Sequence, residues 1–145
     1  FIGNDSCLVI LGDNIFTGQL KEHIENYEQN IKKGCMLFLR KVNDPHRYGV
    51  ATLDKKGRLV KITEKPKSPD SNLCITGVYI YDSHVFEIIK EVMPSGRGEL
   101  EVTDINNAYI KSGLASHCIL DGFWTDAGIP ESYKFANEVM WYGFE

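Results

Sequence analysis

"LVILGDN" (8–14) is the stretch on which the reading of this chain turns. Four apolar residues and a glycine run without a polar break into a carboxylate, Asp13, and an amide, Asn14. An apolar run without alternation describes a strand covered on both faces, as at the centre of an α/β sheet. The pattern predicts a strand over 7–11. A helix over 17–32 is predicted next, because Leu20, Ile24, Tyr27 and Ile31 recur along one stripe of a 3.6-residue period. Gly34 then ends it. "CMLFLRKV" (35–42) reads as a second continuous apolar strand. Strand, helix, strand in this order predicts a βαβ unit with a parallel pair. Ligands of such sheets lie beyond the carboxyl ends of the strands, which is where Asp13 falls.

Downstream the pattern changes. "GVATLD" (49–54) and "LVKITEK" (59–65) flank "KKG" and predict a hairpin. "ITGVYIYD" (75–82) is rich in aromatic and β-branched residues and predicts another strand. A short helix over 84–91, a loop over 93–99, a helix over 103–111 and a strand over 115–122 follow. The last segment, 130–141, opens with Pro130 in a first helical turn and is expected to pack Tyr133, Ala136, Val139 and Met140. Residues 1–145 read as one domain, with no internal repeat or linker. A net charge of −4 implies no broad basic surface and disfavours bulk nucleic-acid binding. The four cysteines lie far apart, so no zinc-type spacing occurs; they read as buried, reduced thiols of a cytoplasmic protein. No apolar run approaches the ~18 residues of a membrane span.

The chemistry-bearing residues stand at strand ends. Asp13 suits either a bound cation or a turn and helix cap, and its spacing leaves both open. Asp126, in "FWTDAG" (123–128), also follows an apolar stretch. Two aspartates from separate strand ends could converge on one Mg²⁺, which takes oxygen ligands and leaves room for phosphate. "ITEKP" (62–66) ends a strand with Glu64 and Lys65. Adjacent strand residues point to opposite faces, so only one would face a cleft unless the strand bends. Lys65 fits a phosphate as a point charge, and Glu64 can accept from hydroxyls. "DPHRYGV" (44–50) sets Arg47, Tyr48 and Gly49 before a strand, the glycine permitting close approach of a ligand. "PSGRGELEVTD" (94–104) places Arg97, Glu99 and Glu101 on a loop entering a helix. Nucleophile patterns, paired metal histidines and glycine-rich phosphate loops are all missing from the sequence.

In their order, "LGDNIFTG", "DPHRYGVATLD", "ITEKPKSPDSNLCITGVYIYD", "PSGRGELEVTDINNAYI" and "WTDAGIPESYKFAN" resemble the sugar-1-phosphate nucleotidylyltransferases, most closely the thymidylyl-transferring branch. The resemblance implies an α/β, Rossmann-like, mixed and mostly parallel sheet with helices on both faces. It implies transfer of a nucleotidyl group from dTTP to a sugar 1-phosphate, with release of pyrophosphate and Mg²⁺ as cofactor. Asp13 and Asp126 match the metal aspartates of the family, and Lys65 the lysine on the sugar phosphate. Tyr48, Gly49, Glu64, Thr76, Gly77 and Glu99 match sugar contacts. Ile75 and Tyr79 match lining residues, and Arg97 an arginine of the sugar-side loop. The family's glycine-rich GGxGTRLxPxT segment has no counterpart in this sequence, and Ala127 stands where threonine is common. The resemblance therefore implies the sugar-phosphate-binding part of the enzyme, inactive by itself. Its strand over 7–12 is expected to present an uncovered edge through which a second copy pairs. A non-catalytic module binding sugar phosphates or nucleotide sugars, and a uridylyl-, guanylyl- or adenylyl-transferring relative, are the alternatives.

Overall fold

A computed structural model describes residues 2–30, 34–94, 98 and 100–142. Local pattern places most elements where the sequence predicts them. The strands are β1 (Cys7–Ile10), β2 (Asn14–Phe16), β3 (Cys35–Lys41), β4 (Gly49–Leu53), β5 (Leu59–Glu64), β6 (Leu73–Tyr81), β7 (Ala115–Ile119) and β8 (Trp124–Asp126). The helices are α1 (Lys21–Gln29), α2 (Val85–Glu91), α3 (Val102–Lys111) and α4 (Pro130–Tyr142). The β4–β5 turn is closed by Asp54, whose Oδ1 accepts from the backbone N–H of Lys56 and Arg58 at 2.8 and 2.9 Å. Gly57 supplies the positive φ of +75° that this turn needs.

The chain is α/β with helices on both faces, as the sequence implies. Side chains of β3 and β6 alternate between two cores. Leu37, Leu39, Ile75, Tyr79 and Tyr81 face one core, where Ile88 of α2 and Ile105 of α3 join them. Phe38, Val78 and Ile80 face the other, with Leu20, Ile24 and Tyr27 at α1 and Trp124 of β8.

Strand pairing corrects the expectation of a mostly parallel sheet. The order is β5-β4-β6-β3-β7, with β1 on β6. Among the described residues only β3 and β7 are parallel neighbours; β1–β6, β3–β6, β4–β5 and β4–β6 are antiparallel. β1 and β3 do run in the same direction, as the βαβ reading requires. They are not a pair, because β6 is inserted between them in reverse. Each strand takes the partner that buries its face best, and that choice is made by distant residues, so no local period reveals it.

Three further corrections concern burial and extent. β1 is not covered on both faces: Leu8 and Ile10 are 41% and 45% exposed. Residues 17–20, expected to open the helix, carry no regular structure, and just before them lies β2, which the sequence reading did not predict and which pairs with β8. α1 begins at Lys21, and Ile31 of its expected stripe lies outside the described residues. On α4, Ala136 and Val139 are buried, whereas Tyr133 and Met140 are exposed. These two line an apolar groove of about 320 Å³ against Ile15 and Ala127.

One consequence of the topology positions the site. β1 pairs with Val78–Tyr81 of β6, and β4 meets the same edge at Cys74. β3 occupies the opposite edge throughout. Between β1 and β4 the ladder on this edge of β6 lapses at residues 75–77, where Gly77 is bonded instead to Leu11 and to the Asn14 side chain. There the register of β3 against β6 shifts between Leu37 and Leu39. Such an irregularity turns backbone groups out of the ladder. Thr76 Oγ1 donates to the Phe38 carbonyl at 2.8 Å, while the Gly77 carbonyl accepts from Leu11 N–H at 2.8 Å.

Candidate functional site

Over that lapse in the ladder lies a cavity of about 270 Å³. It gathers Asp13, Lys65 and Asp126, and with them Tyr48, Gly49, Glu64, Ile75, Thr76, Gly77 and Tyr79. These residues come from five separate stretches of chain. Arg97 and Glu99 lie outside the described residues.

Asp13 and Asp126 are brought together by the β2–β8 pairing, in which Asn14 sits opposite Asp126. The Ala127 N–H donates to the Asp13 carbonyl at 2.7 Å, which fixes the two turns against each other. Both side chains converge on Gly128. A Cβ there would stand 2.7 Å from Asp126 Oδ1 and 3.3 Å from Asp13 Oδ2. Asp126 Oδ1 accepts from Gly128 N–H at 2.6 Å, and Asp13 Oδ1 from Asn14 Nδ2 at 2.9 Å. Each carboxylate keeps one oxygen outside these bonds. Among the described residues no group of three His, Cys, Asp or Glu side chains could hold a metal. A zinc site of three or four N/S ligands is thus not what these residues offer. Two carboxylates over a side-chain-free glycine do fit a hard divalent cation that completes its shell with water and phosphate oxygens.

Glu64 and Lys65 answer the alternation problem posed by "ITEKP". Both line the cavity. Lys65 has φ of +42°, the only positive value at a non-glycine residue among the described residues. This left-handed backbone bends the strand end so that consecutive side chains share one side. It costs of order 1 kcal/mol and is held by its surroundings. Lys65 N–H donates to the Tyr48 carbonyl at 3.0 Å, and the Pro66 carbonyl bonds to the His46 ring at 3.1 Å. Glu64 Oε2 accepts from Thr103 Oγ1, in the first turn of α3, at 2.6 Å. Gly49 lies opposite Glu64 in the ladder, and a Cβ there would approach Glu64 Oε2 to 3.2 Å.

Asn14 is the residue whose role the sequence leaves unread. Its Oδ1 accepts from Gly77 N–H and from Trp124 Nε1, both at 2.7 Å, while its Nδ2 donates to Asp13. It therefore ties the floor strand, β8 and the Asp13 carboxylate into one network. Any side chain at Gly77 would land on the Asn14 amide, its Cβ 2.7 Å from Asn14 Cγ. The only signal in the sequence was an amide beside Asp13, and amides at turns are common. Asn106 was missed as well. It is buried, lines the cavity, and accepts from the Tyr81 hydroxyl at 2.6 Å.

Two tyrosines complete the wall. Burial raises the Tyr79 phenol above its ordinary value, and the Glu64 and Asp13 carboxylates add to this. Burial also raises Tyr48; Arg47 opposes the shift and Asp126 reinforces it. Both rings stay neutral and keep their hydroxyl protons at ordinary pH. The site thus offers a cation position at two carboxylates, an ammonium, a held carboxylate and neutral hydroxyls within one cavity. That set suits a ligand carrying both phosphate and sugar hydroxyls.

Residues 1–140 match the family model described as "Nucleotidyl transferase". The chain is 41% identical to a glucose-1-phosphate thymidylyltransferase of Neisseria meningitidis, over 97% of this chain and 49% of the relative. It is 35% identical to the low-salt glycan biosynthesis nucleotidyltransferase Agl11 of Haloferax volcanii, over 97% of this chain and 39% of that one. It spans about half, or less, of the length of these curated relatives. A crystal structure of a Bacillus anthracis protein assigned as a glucose-1-phosphate thymidylyltransferase, in complex with sucrose, superposes with a TM-score of 0.87 at 47% identity, covering 95% of this chain and 55% of that one. A UDP-glucose pyrophosphorylase complexed with UDP-glucose gives 0.86 at 25% identity, covering 99% and 59%. With its candidate site residues gathered in one cavity and the family pattern running along almost its whole length, the chain belongs to the nucleotidyl transferase family.

Proposed function

We propose that this chain forms the sugar-phosphate-binding part of a glucose-1-phosphate thymidylyltransferase. In that reaction a phosphate oxygen of glucose 1-phosphate attacks the α-phosphorus of dTTP. A new P–O bond forms, the bond to the β-phosphate breaks, and pyrophosphate leaves with dTDP-glucose as the other product. The observation that carries this reading is the convergence of Asp13, Asp126, Lys65 and Glu64 on one cavity.

Asp13 and Asp126 would hold Mg²⁺, which, once bound, offsets the charge of the phosphates. Lys65 binds the phosphate of the sugar, and its backbone conformation orients it without an adjustable hinge. Glu64, set by Thr103, accepts from sugar hydroxyls. Gly49 and Gly77 let the sugar approach the backbone, with Tyr48, Ile75, Thr76 and Tyr79 shaping the wall. Arg97 and Glu99 belong to the sugar-side loop in this reading. Positioning and charge compensation supply most of the rate in phosphoryl-type transfers. Substrates of this type are soluble phosphates, in keeping with a cytoplasmic enzyme. A second copy is proposed as a partner through the free edge of β1.

Calorimetric titration tests the reading. Glucose 1-phosphate and dTDP-glucose should bind the chain, and Lys65→Ala should weaken both by about tenfold or more, the worth of one charge-assisted contact. Binding indifferent to that substitution removes Lys65 from its role. UDP-glucose binding as tightly as dTDP-glucose would turn the base assignment toward the uridylyl-transferring relatives.

A further inference from the structure

Arg47 ends a single 3-10 turn, Pro45–Arg47, which the Tyr48 N–H closes on the Pro45 carbonyl at 3.2 Å. Its guanidinium carbon lies 5.5 Å from the centroid of the Tyr48 ring. That ring packs edge-on against Trp124 at 5.3 Å, and Trp124 is bonded to Asn14. The guanidinium thus rests on an aromatic platform anchored in the floor of the site. Stacking of this kind suits a planar, delocalised cation and limits its rotation.

Two cavities meet at this point. Beside the one already described, a second of about 400 Å³ is lined by Asp13, Arg47, Lys65, Asp126, Gly128 and Ile129. Arg47, Lys65 and both aspartates line the two cavities together. Their shared wall carries two cations and two carboxylates. Among the described residues, neither Arg47 nor Lys65 is ion-paired to either aspartate. The guanidinium of Arg47 lies over the Tyr48 ring, and Lys65 lines both cavities from a left-handed backbone. Opposite charges kept apart within one wall are complementary to a ligand that brings both signs. Phosphate oxygens fit against the cations, and a divalent ion fits between phosphate and carboxylates. The guanidinium fork suits phosphate because it can donate two parallel bonds.

We propose that Arg47 is a second phosphate-binding residue of this site, gripping ligand phosphate oxygens together with Lys65 where the two cavities join. The assignment rests on the functional reading above, and adds to it a residue that the motif comparison had left without a role.

The test is calorimetric titration of the full chain with glucose 1-phosphate, dTDP-glucose and unphosphorylated glucose, at low and raised salt. Arg47→Gln keeps the stem over Tyr48 and removes the charge. It should weaken both phosphate-bearing ligands by about tenfold or more, flatten their salt dependence and leave glucose unchanged. Arg47→Lys should recover part of the loss, since the charge returns without the fork. Should Arg47→Gln not fold, Arg47→Lys carries the comparison, with a loss of a few fold expected for dTDP-glucose and none for glucose. The proposal is overturned, and the site reading left standing, if Arg47 variants bind phosphate ligands like the parent while Lys65→Ala weakens them. It is also overturned if glucose is weakened as much as its phosphate, because Arg47 would then only support Tyr48. If Lys65→Ala is silent too, the site reading fails and takes the proposal with it.

Discussion

Gly128 shows how much one missing methyl group can decide. The space its Cβ would fill is the space over which Asp13 and Asp126 converge. At 2.7 Å from Asp126 Oδ1, an added Cβ lies well inside van der Waals contact, and the carboxylate must move. Gly128→Ala is therefore expected to weaken Mn²⁺ or Mg²⁺ binding by about tenfold while the fold persists, measured by calorimetry beside a circular dichroism melt. Unchanged metal affinity would remove Gly128 from the cradle. His117 on β7 makes a pH prediction at the same scale. Burial lowers its pKa from the ordinary 6.5. Above that value both folded and unfolded states hold it neutral, and it contributes no pH dependence. As pH falls below 6.5 the unfolded chain takes up the proton first, so stability declines until the lower folded pKa is reached. Replacing His117 by Gln should flatten the fall in melting temperature between about pH 7 and about pH 5. An unaltered slope would show that other groups carry it. The cysteines need no such test of pairing: all four are free. Burial pushes Cys35, Cys74 and Cys118 up to about 12, which keeps them as unreactive thiols.

At the scale of elements, α3 does more than cover the sheet. Asn107 Oδ1 accepts from Ile62 N–H and its Nδ2 donates to the Ile62 carbonyl, both at 2.9 Å. The side-chain amide thus supplies the rung that a neighbouring strand would have given β5. An edge strand left bare invites foreign pairing, and a covering helix is one remedy. The same helix holds Glu64 through Thr103, so the covered edge and the sugar side of the site are one construction. Asn107→Ala should cost about 1–3 kcal/mol in urea unfolding, because two backbone groups lose their partner. It should also speed amide exchange at Ile62 ahead of the rest of β5. Exchange unchanged at Ile62 would show that water replaces the amide without penalty.

For the whole molecule, β1 is the exposed seam. Among the described residues it pairs only with β6, and Leu8, Ile10 and Leu11 are exposed. A second copy pairing through this edge would cover it. Light scattering at raised concentration should therefore report a dimer, and Ile10→Lys should return it to the monomer. A parent chain that stays monomeric would remove the edge-pairing partner. The cavity on the opposite part of β6 owes its existence to the same topology, since β1 and β4 share one edge of β6 and part over residues 75–77.

Local chemistry alone placed most of the strands and helices, though not β2 or the start of α1. Apolar runs, the 3.6-residue stripe of α1, the turn at Gly57 and the prolines are written in neighbouring residues. It also named Asp13, Lys65 and Asp126, since strand ends that stop on a charge are visible in one dimension. The tertiary structure decided what no neighbour can report. β6 enters between β1 and β3 because distant faces compete for burial, and pairing partners follow from that competition. Asn14 becomes a hub only once Gly77 and Trp124 arrive beside it. Lys65 lines the cavity with its backbone bent and bonded to Tyr48, and Arg47 lines it with its guanidinium over the Tyr48 ring, which packs edge-on against Trp124.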